Sequence, residues 1–307
     1  MLGLAHRILS QSSRLLLPND IRSDCTDSET TNTRVAANVI AKSTIVKATN
    51  VAEYFFSQDK KTFDSSDFPN VAPPFMDVFI EWEVTPGMSW IFDSESEQPC
   101  TQCGTLLQWR PIIGISSKDS VKFGEIFGEK IDAAKWILCA RNFLSLGGSA
   151  ASDCVPIYIL VDHRGTPIKG KSYLIRKTTD DDNTIQHAWR VAVVSLLSVS
   201  FMHCKNVIRT DAEGPPDKWL RRQKQPKLRY HVLQIDPMKE VLRREGGSET
   251  NGLKKALHIC RGHFATYTDE KPLFGRSTGT FWKPAHVRGS SKEGVVVKDY
   301  AVNAPSS

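Results

Sequence analysis

The stretch "CVPIYILVDHRGTPIKGKSYLIRK", residues 154–177, decides the class of fold. Two arms rich in β-branched and aromatic residues flank "DHRGTP", whose Asp, Gly and Pro supply the chemistry of a tight turn. That is a β-hairpin, so the chain contains antiparallel sheet. Upstream, "MDVFIEWEV" (76–84), "MSWIFD" (88–93) and "TLLQWRPIIGI" (105–115) read as further strands. Downstream, strands are expected in "FMHCKNVIR" (201–209), from Tyr230 to Ile235, and in three runs near the end.

Helices are expected over 35–56, over "KIDAAKWILCARNFLSL" (130–146) before Gly147 and Gly148, and from about Thr184 to Ser200 behind the cap "TTDDDN". A short one is expected from Pro237 to Arg244. The elements mix without regular βαβ alternation, so the expected class is α+β. The sheet should be mixed and mainly antiparallel, with a C-terminal β-hairpin carrying a His/Arg face. The expected division is an N-terminal helical segment and linker, 1–70, and an α+β domain, 71–307. The latter holds a basic loop, 215–229, and the hairpin, 257–289.

At 307 residues, 40% hydrophobic and 24% charged, the composition is that of an ordinary globular protein. A net charge of +6 leans towards anionic partners. Seven cysteines, an odd number, do not suit a secreted disulfide framework, and a reducing cytoplasm is the simpler expectation. The longest apolar run, Val191 to Met202, is too short for a membrane span and broken by serines. The first 19 residues lack acids and carry Arg7 and Arg14, which suits a presequence or, more simply, an amphipathic opening helix stopped by Pro18.

There is no phosphate loop, dinucleotide fingerprint, HExxH or nucleophile elbow; "GEIFGEK" (124–130) lacks the spacing. No cofactor is expected. Cys100 and Cys103 have the spacing of half a zinc site. A closed site would need distant ligands such as Cys204, Cys260 or His258, and two free thiols in a hairpin loop is the simpler reading. No metal is therefore expected.

Positive charge is densest where Lys218, Arg221, Arg222, Lys224, Lys227 and Arg229 fall within twelve residues, with Trp219 and Tyr230 at the ends. Exposed cations suit phosphate contacts, and flanking aromatics suit base stacking. Prolines and glutamines here favour an extended segment over a helix. A solvated loop is the alternative.

Residues 258–289, "HICRGHFATYTDEKPLFGRSTGTFWKPAHVRG", hold three of the eight histidines. Pairing Tyr267 with Trp282, an aromatic pair, sets His263 opposite His286 and Arg261 opposite Arg288. Two imidazoles beside two guanidiniums would serve metal-free phosphodiester chemistry, one histidine as base and the other as acid. The arginines and the stacking pair Tyr267 and Trp282 would also suit simple phosphate binding.

The blocks "APPFMDVFIEW", "FMHCKNV", "RRQKQPKLRYHVLQI", "CRGHFATYT" and "HVRG" resemble proteins encoded by phages and bacterial genomes. The likeness spreads over much of 72–289. It implies a mobile-element context and no mechanism. The reading expected from the sequence is a cytoplasmic nucleic-acid-associated, phosphate-binding protein, RNA and DNA both open. The alternatives are a metal-independent ribonuclease using His263 and His286, and an assembly protein meeting a protein partner through Phe75, Phe79, Trp82 and Trp90.

Overall fold

A computed structural model of the chain describes residues 3–10, 35–56, 68–85, 88, 100–113, 123–124, 127–146, 149–152, 156–168, 173–174, 182–222, 227–235, 256–260, 263–273, 275–283, 286–288 and 290–295. It divides into two compact units. One comprises Met1–His203 and Arg209–Gln234, the other Cys204–Ile208 and Ile235–Ser307. The class is α+β.

The first unit is built on a sheet of strands β1 (Thr44–Lys47), β2 (Asp77–Glu83), β3 (Cys100–Pro111), β4 (Trp136–Leu146), β5 (Ser149–Ser152), β6 (Ile157–Val161), β7 (Tyr173–Leu174), β8 (Val207–Ala212) and β9 (Tyr230–Ile235). Their order is β7-β6-β4-β3-β2-β1-β9-β8, with β5 also paired to β4. β1 runs parallel to both β2 and β9, while β2–β3, β3–β4, β4–β6 and β6–β7 are antiparallel. The sheet is thus mixed and mainly antiparallel, as expected. The quoted hairpin is β6–β7. Asp162 Oδ1 accepts the Arg164 and Thr166 amides at 2.8 Å, and Gly165 takes φ +85°, which glycine adopts at no steric cost.

Helices cover both faces. On one, α1 (Leu4–Ser10) and α2 (35–40) pack Leu4, Ile8, Ala37 and Ile40 against Ile45, Phe79, Leu106 and Phe143. On the other lies α4 (Asp182–Met202), whose Ala188 carbonyl accepts from Asn142 on β4. Asn142 and Phe143 are successive residues of one strand, so these are opposite faces. A shorter helix, α3 (Thr49–Phe56), follows β1 on the crossover that a parallel β1–β2 pair requires. α4 is buried from Val191 to Phe201; of its serines, Ser198 donates to Val194 O at 2.8 Å and Ser200 to Asn70 O at 3.1 Å, while the buried Ser195 hydroxyl has no partner among the described residues. No helix among the described residues is long and apolar enough to cross a membrane.

Three local expectations are corrected. The helix expected over 35–56 is α2, β1 and α3 in succession: Ser43 closes α2 by donating its hydroxyl to Ile40 O, and the β-branched Thr44-Ile45-Val46 become a strand. The helix expected over 130–146 is a short 3-10 turn, Gly128–Ala133, followed by β4. β4 is covered on both faces, and such a strand has the continuous apolar run that periodicity cannot tell from a buried helix. The expected hairpin loop at Cys100–Gly104 lies within β3. Residues before 70, set apart in the sequence as a helical segment and linker, supply α1, α2, β1 and α3 to the same unit as the sheet. The expected strand at 88–93 and helix at 237–244 lie outside the described residues, apart from Met88.

In the second unit β10 (Ala256–Cys260) pairs antiparallel with β13 (His286–Arg288) and parallel with β14 (Ser290–Val295). β11 (His263–Tyr267) pairs antiparallel with β12 (Gly279–Lys283). Asn206 clamps β12: its Nδ2 donates to Trp282 O at 2.7 Å and its Oδ1 accepts from Trp282 N at 2.8 Å.

Candidate phosphate-binding groove

The C-terminal hairpin forms, but its register differs from the expected one. Phe264 faces Trp282, Tyr267 faces Gly279 and His263 faces Lys283, an offset of three residues. Three is odd, so the second arm's residues change face relative to the first. The aromatic pair that sets the register is Phe264–Trp282, with ring centroids 4.7 Å apart and Trp282 only 3% exposed. Tyr267 instead packs edge-on to Phe281 and lies under Lys283 Nζ at 5.1 Å. The same register continues outward, setting His286 opposite Cys260 and Arg288 opposite His258. His263 and His286 are therefore not cross-strand neighbours, and Arg261 lies outside the described residues. The four-residue His/Arg cluster is not assembled by this pairing. Trp282, being buried, has no face to offer a base.

The basic segment is also rearranged. Asp217–Arg222 form a helix, α5, where an extended run was expected. The start signal is "PPD": Pro216 O accepts the Trp219 and Leu220 amides, Asp217 stands in the first turn, and Arg221 and Arg222 in the last, each complementing the helix dipole. Lys218, Arg221 and Arg222 are exposed on it. Lys227 is ion-paired with Asp217 at 3.0 Å and Arg229 with Asp211 at 2.9 Å. Lys224 lies outside the described residues. Trp219 stands edge-on to His6 at 6.3 Å, half-buried. Tyr230 is 1% exposed and belongs to the core, so it does not serve as a stacking surface.

What the first unit does assemble is an open groove of about 690 Å³ lined by Lys42, Phe75, Arg209, Asp211, Arg229 and His231, with Ser43, Thr44 and Thr210. Lys42 and Thr44 come from the turn before β1 and from β1 itself. Arg209 and Asp211 come from β8, and Arg229 and His231 from the entry to β9, the strand beside it. α5 lies on the connection between β8 and β9, so the basic segment links the two cationic strands in the chain. The Arg209 guanidinium lies over the Phe75 ring at 4.6 Å. Stacking of that kind orients the plane of the guanidinium and leaves its edge donors available. Among the described residues no carboxylate pairs with Arg209 or Lys42. The lining carries three cations against the single carboxylate of Asp211, which Arg229 holds below the usual range through a hydrogen bond. His231 Nδ1 lies 3.1 Å from Asp211 Oδ1 without the alignment of a hydrogen bond. Burial first, then Arg209, push the His231 imidazole below its ordinary range, against the opposing pull of Asp211.

The sequence reading singled out Arg229 here and passed over Lys42, Arg209 and His231. Arg209 was legible only as the end of a strand; its aromatic partner is 134 positions away in the chain.

A second group missed in the sequence is buried. Glu81 on β2 accepts the Ala5 amide at 2.8 Å with its Oε2, at the amino end of α1. Next to it His6 Nδ1 and Tyr230 Oη share a hydrogen bond of 2.5 Å, and Lys47 Nζ lies 4.8 Å above the Tyr230 ring. Glu81 and the Tyr230 hydroxyl both crowd Gly3, where any side chain would collide with them. Burial pushes the Glu81 carboxyl to about 7, against the opposing pull of the Ala5 amide and Lys47. Sealed in the core, this group anchors α1.

Among the described residues no group of three or more His, Cys, Asp or Glu is placed to hold a metal ion. No protein-family model matches the chain, and no curated protein matches it.

Proposed function

We propose that the protein is a nucleic-acid-associated, phosphate-binding protein of the cytoplasm, in a phage or mobile-element context. Its anion site is the groove between β8, β9 and the turn before β1. One observation carries the reading: Arg209, stacked on Phe75 and without a carboxylate partner among the described residues, beside Lys42 and Arg229 in an open groove. A forked, oriented guanidinium matches two phosphate oxygens at once. The exposed Lys218, Arg221 and Arg222 of α5 extend the positive surface along the chain between the two strands. The ribonuclease reading loses its basis, because His263 and His286 are not opposed. The assembly reading loses most of its surface: Phe79 and Trp82 are core, Phe75 carries Arg209, and Trp90 lies outside the described residues.

The test is fluorescence anisotropy of labelled RNA and DNA oligonucleotides over a salt series, with and without EDTA. Arg209→Ala is expected to weaken binding and to lower the slope of log affinity against log salt by about 0.7 to 0.9, the share of one phosphate contact. Equal affinity and slope for the variant would remove the groove as the site. Cleavage that survives EDTA would restore an enzymatic reading.

A further inference from the structure

The pair Cys100 and Cys103 is left unused by phosphate binding. Both lie at the start of β3, and their Sγ atoms are 3.6 Å apart. A regular strand would forbid this, since residues three apart lie about 10 Å from each other and point to opposite faces. The strand is not regular there. Cys100 pairs with Leu146 and Gln102 with Ser145, so Thr101 is an extra residue, a bulge, between two rungs of the ladder. One extra residue restores the common face and bends the chain, which brings the sulfurs together. A disulfide needs them to close by about 1.5 Å more, to about 2.05 Å.

The two thiols are not equivalent. Cys100 is half-buried, whereas Cys103 is 0% exposed. The Cys103 thiol, hydrogen-bonded to Cys100, holds Cys100 below its ordinary range, with help from the backbone of Ser145 and Gln102 and against partial burial. Burial, then the hydrogen bond to Cys100 and the charge on it, push Cys103 well above the ordinary range. The reachable sulfur is thus the better thiolate, and the sealed one is the proton-bearing neighbour.

We propose that Cys100 and Cys103 are a dithiol–disulfide exchange centre, oxidised by low-molecular-weight disulfides and reduced by low-molecular-weight thiols. The Cys100 thiolate attacks one sulfur of R–S–S–R; that bond breaks, RS⁻ departs and takes up a proton, and Cys100–S–S–R is formed. Cys103 then gives up its proton and attacks Cys100 Sγ, the mixed disulfide breaks, and the second RS⁻ leaves as thiol. In sum two protein thiols are oxidised to one disulfide, and one small disulfide is reduced to two thiols. The closed form staples the bulge beside Ser145, the residue whose hydroxyl accepts from Arg7 of α1 at 3.1 Å.

The test uses the folded wild-type chain, equilibrated with glutathione buffers from fully reduced to fully oxidised, alkylated and mapped by mass spectrometry. The peptide spanning 100–103 should lose two hydrogens and both alkylation sites together as the buffer is oxidised, and regain them in reduced glutathione. Cys103→Ser should accumulate glutathione on Cys100, because the resolving thiol is gone. Independent alkylation of both cysteines in the most oxidising buffer would overturn the proposal. So would a disulfide from either to a different cysteine.

Discussion

Glu81→Gln should flatten the protein's stability between pH 5 and 8. Glu81 is 5% exposed in the middle of β2, and burial raises its carboxyl from an ordinary value of 4.5 to about 7. The folded state therefore holds the proton more tightly than the unfolded chain. Its contribution is complete below pH 4.5 and is lost as pH rises to 7, where the native protein must carry a buried carboxylate. A rise from 4.5 to about 7, at about 1.4 kcal/mol per unit, makes that loss about 3 kcal/mol, a large part of a typical domain's stability. Gln has the same shape and keeps an oxygen for the Ala5 amide, but it does not titrate. The measurement is urea unfolding of both proteins at half-unit intervals from pH 4.5 to 8, followed by circular dichroism. The stability of the variant minus that of wild type should rise by about 3 kcal/mol across this range, whatever its value at the acid end. Parallel curves would refute the reasoning, showing that water or a counter-charge keeps the carboxylate at its ordinary value.

Three further outcomes are expected. Gly165→Ala should destabilise the first unit by about 1 to 3 kcal/mol, because φ +85° is strained for alanine and the new methyl would overlap Asn70 Oδ1; unfolding midpoints at constant slope would show it. Tyr230→Phe should cost about 1 to 2 kcal/mol through loss of the buried His6 hydrogen bond; an unchanged urea midpoint would mean that His6 is satisfied without it. Replacing Lys218, Arg221 and Arg222 together with Ala should lower the salt slope of oligonucleotide binding by about 0.7 to 0.9 for each phosphate they contact, and an unchanged slope would make α5 a merely solvated surface.

Much of the fold was legible because its signals are local. The Asp162–Thr166 turn, the helix α4 and the strand Tyr230–Ile235 follow from residue types at short spacing, and they appear where expected. The PPD start of α5 was equally local and was simply passed over. What local pattern could not supply was the identity of fully buried strands. β4 reads as a helix because both its faces are apolar, and only pairing with β3 and β6 makes it a strand. The register of the C-terminal hairpin has the same origin. Either aromatic pair, Tyr267–Trp282 or Phe264–Trp282, is favourable in isolation, and the choice is made by what buries Trp282 and by Asn206, some 76 residues earlier, holding both its backbone groups. A three-residue slip then separates His263 from His286. The groove came from tertiary structure too: Lys42, Phe75, Arg209 and Arg229 are far apart in the chain and meet because β1 pairs in parallel with β9 and β8 lies beside it. The sequence by itself determined the composition, the α+β class and the density of cations between β8 and β9. Which of those cations keep their charge free for an anion was decided only by folding, because Asp211 and Asp217 neutralise Arg229 and Lys227 through contacts 18 and 10 residues apart that no spacing rule predicts.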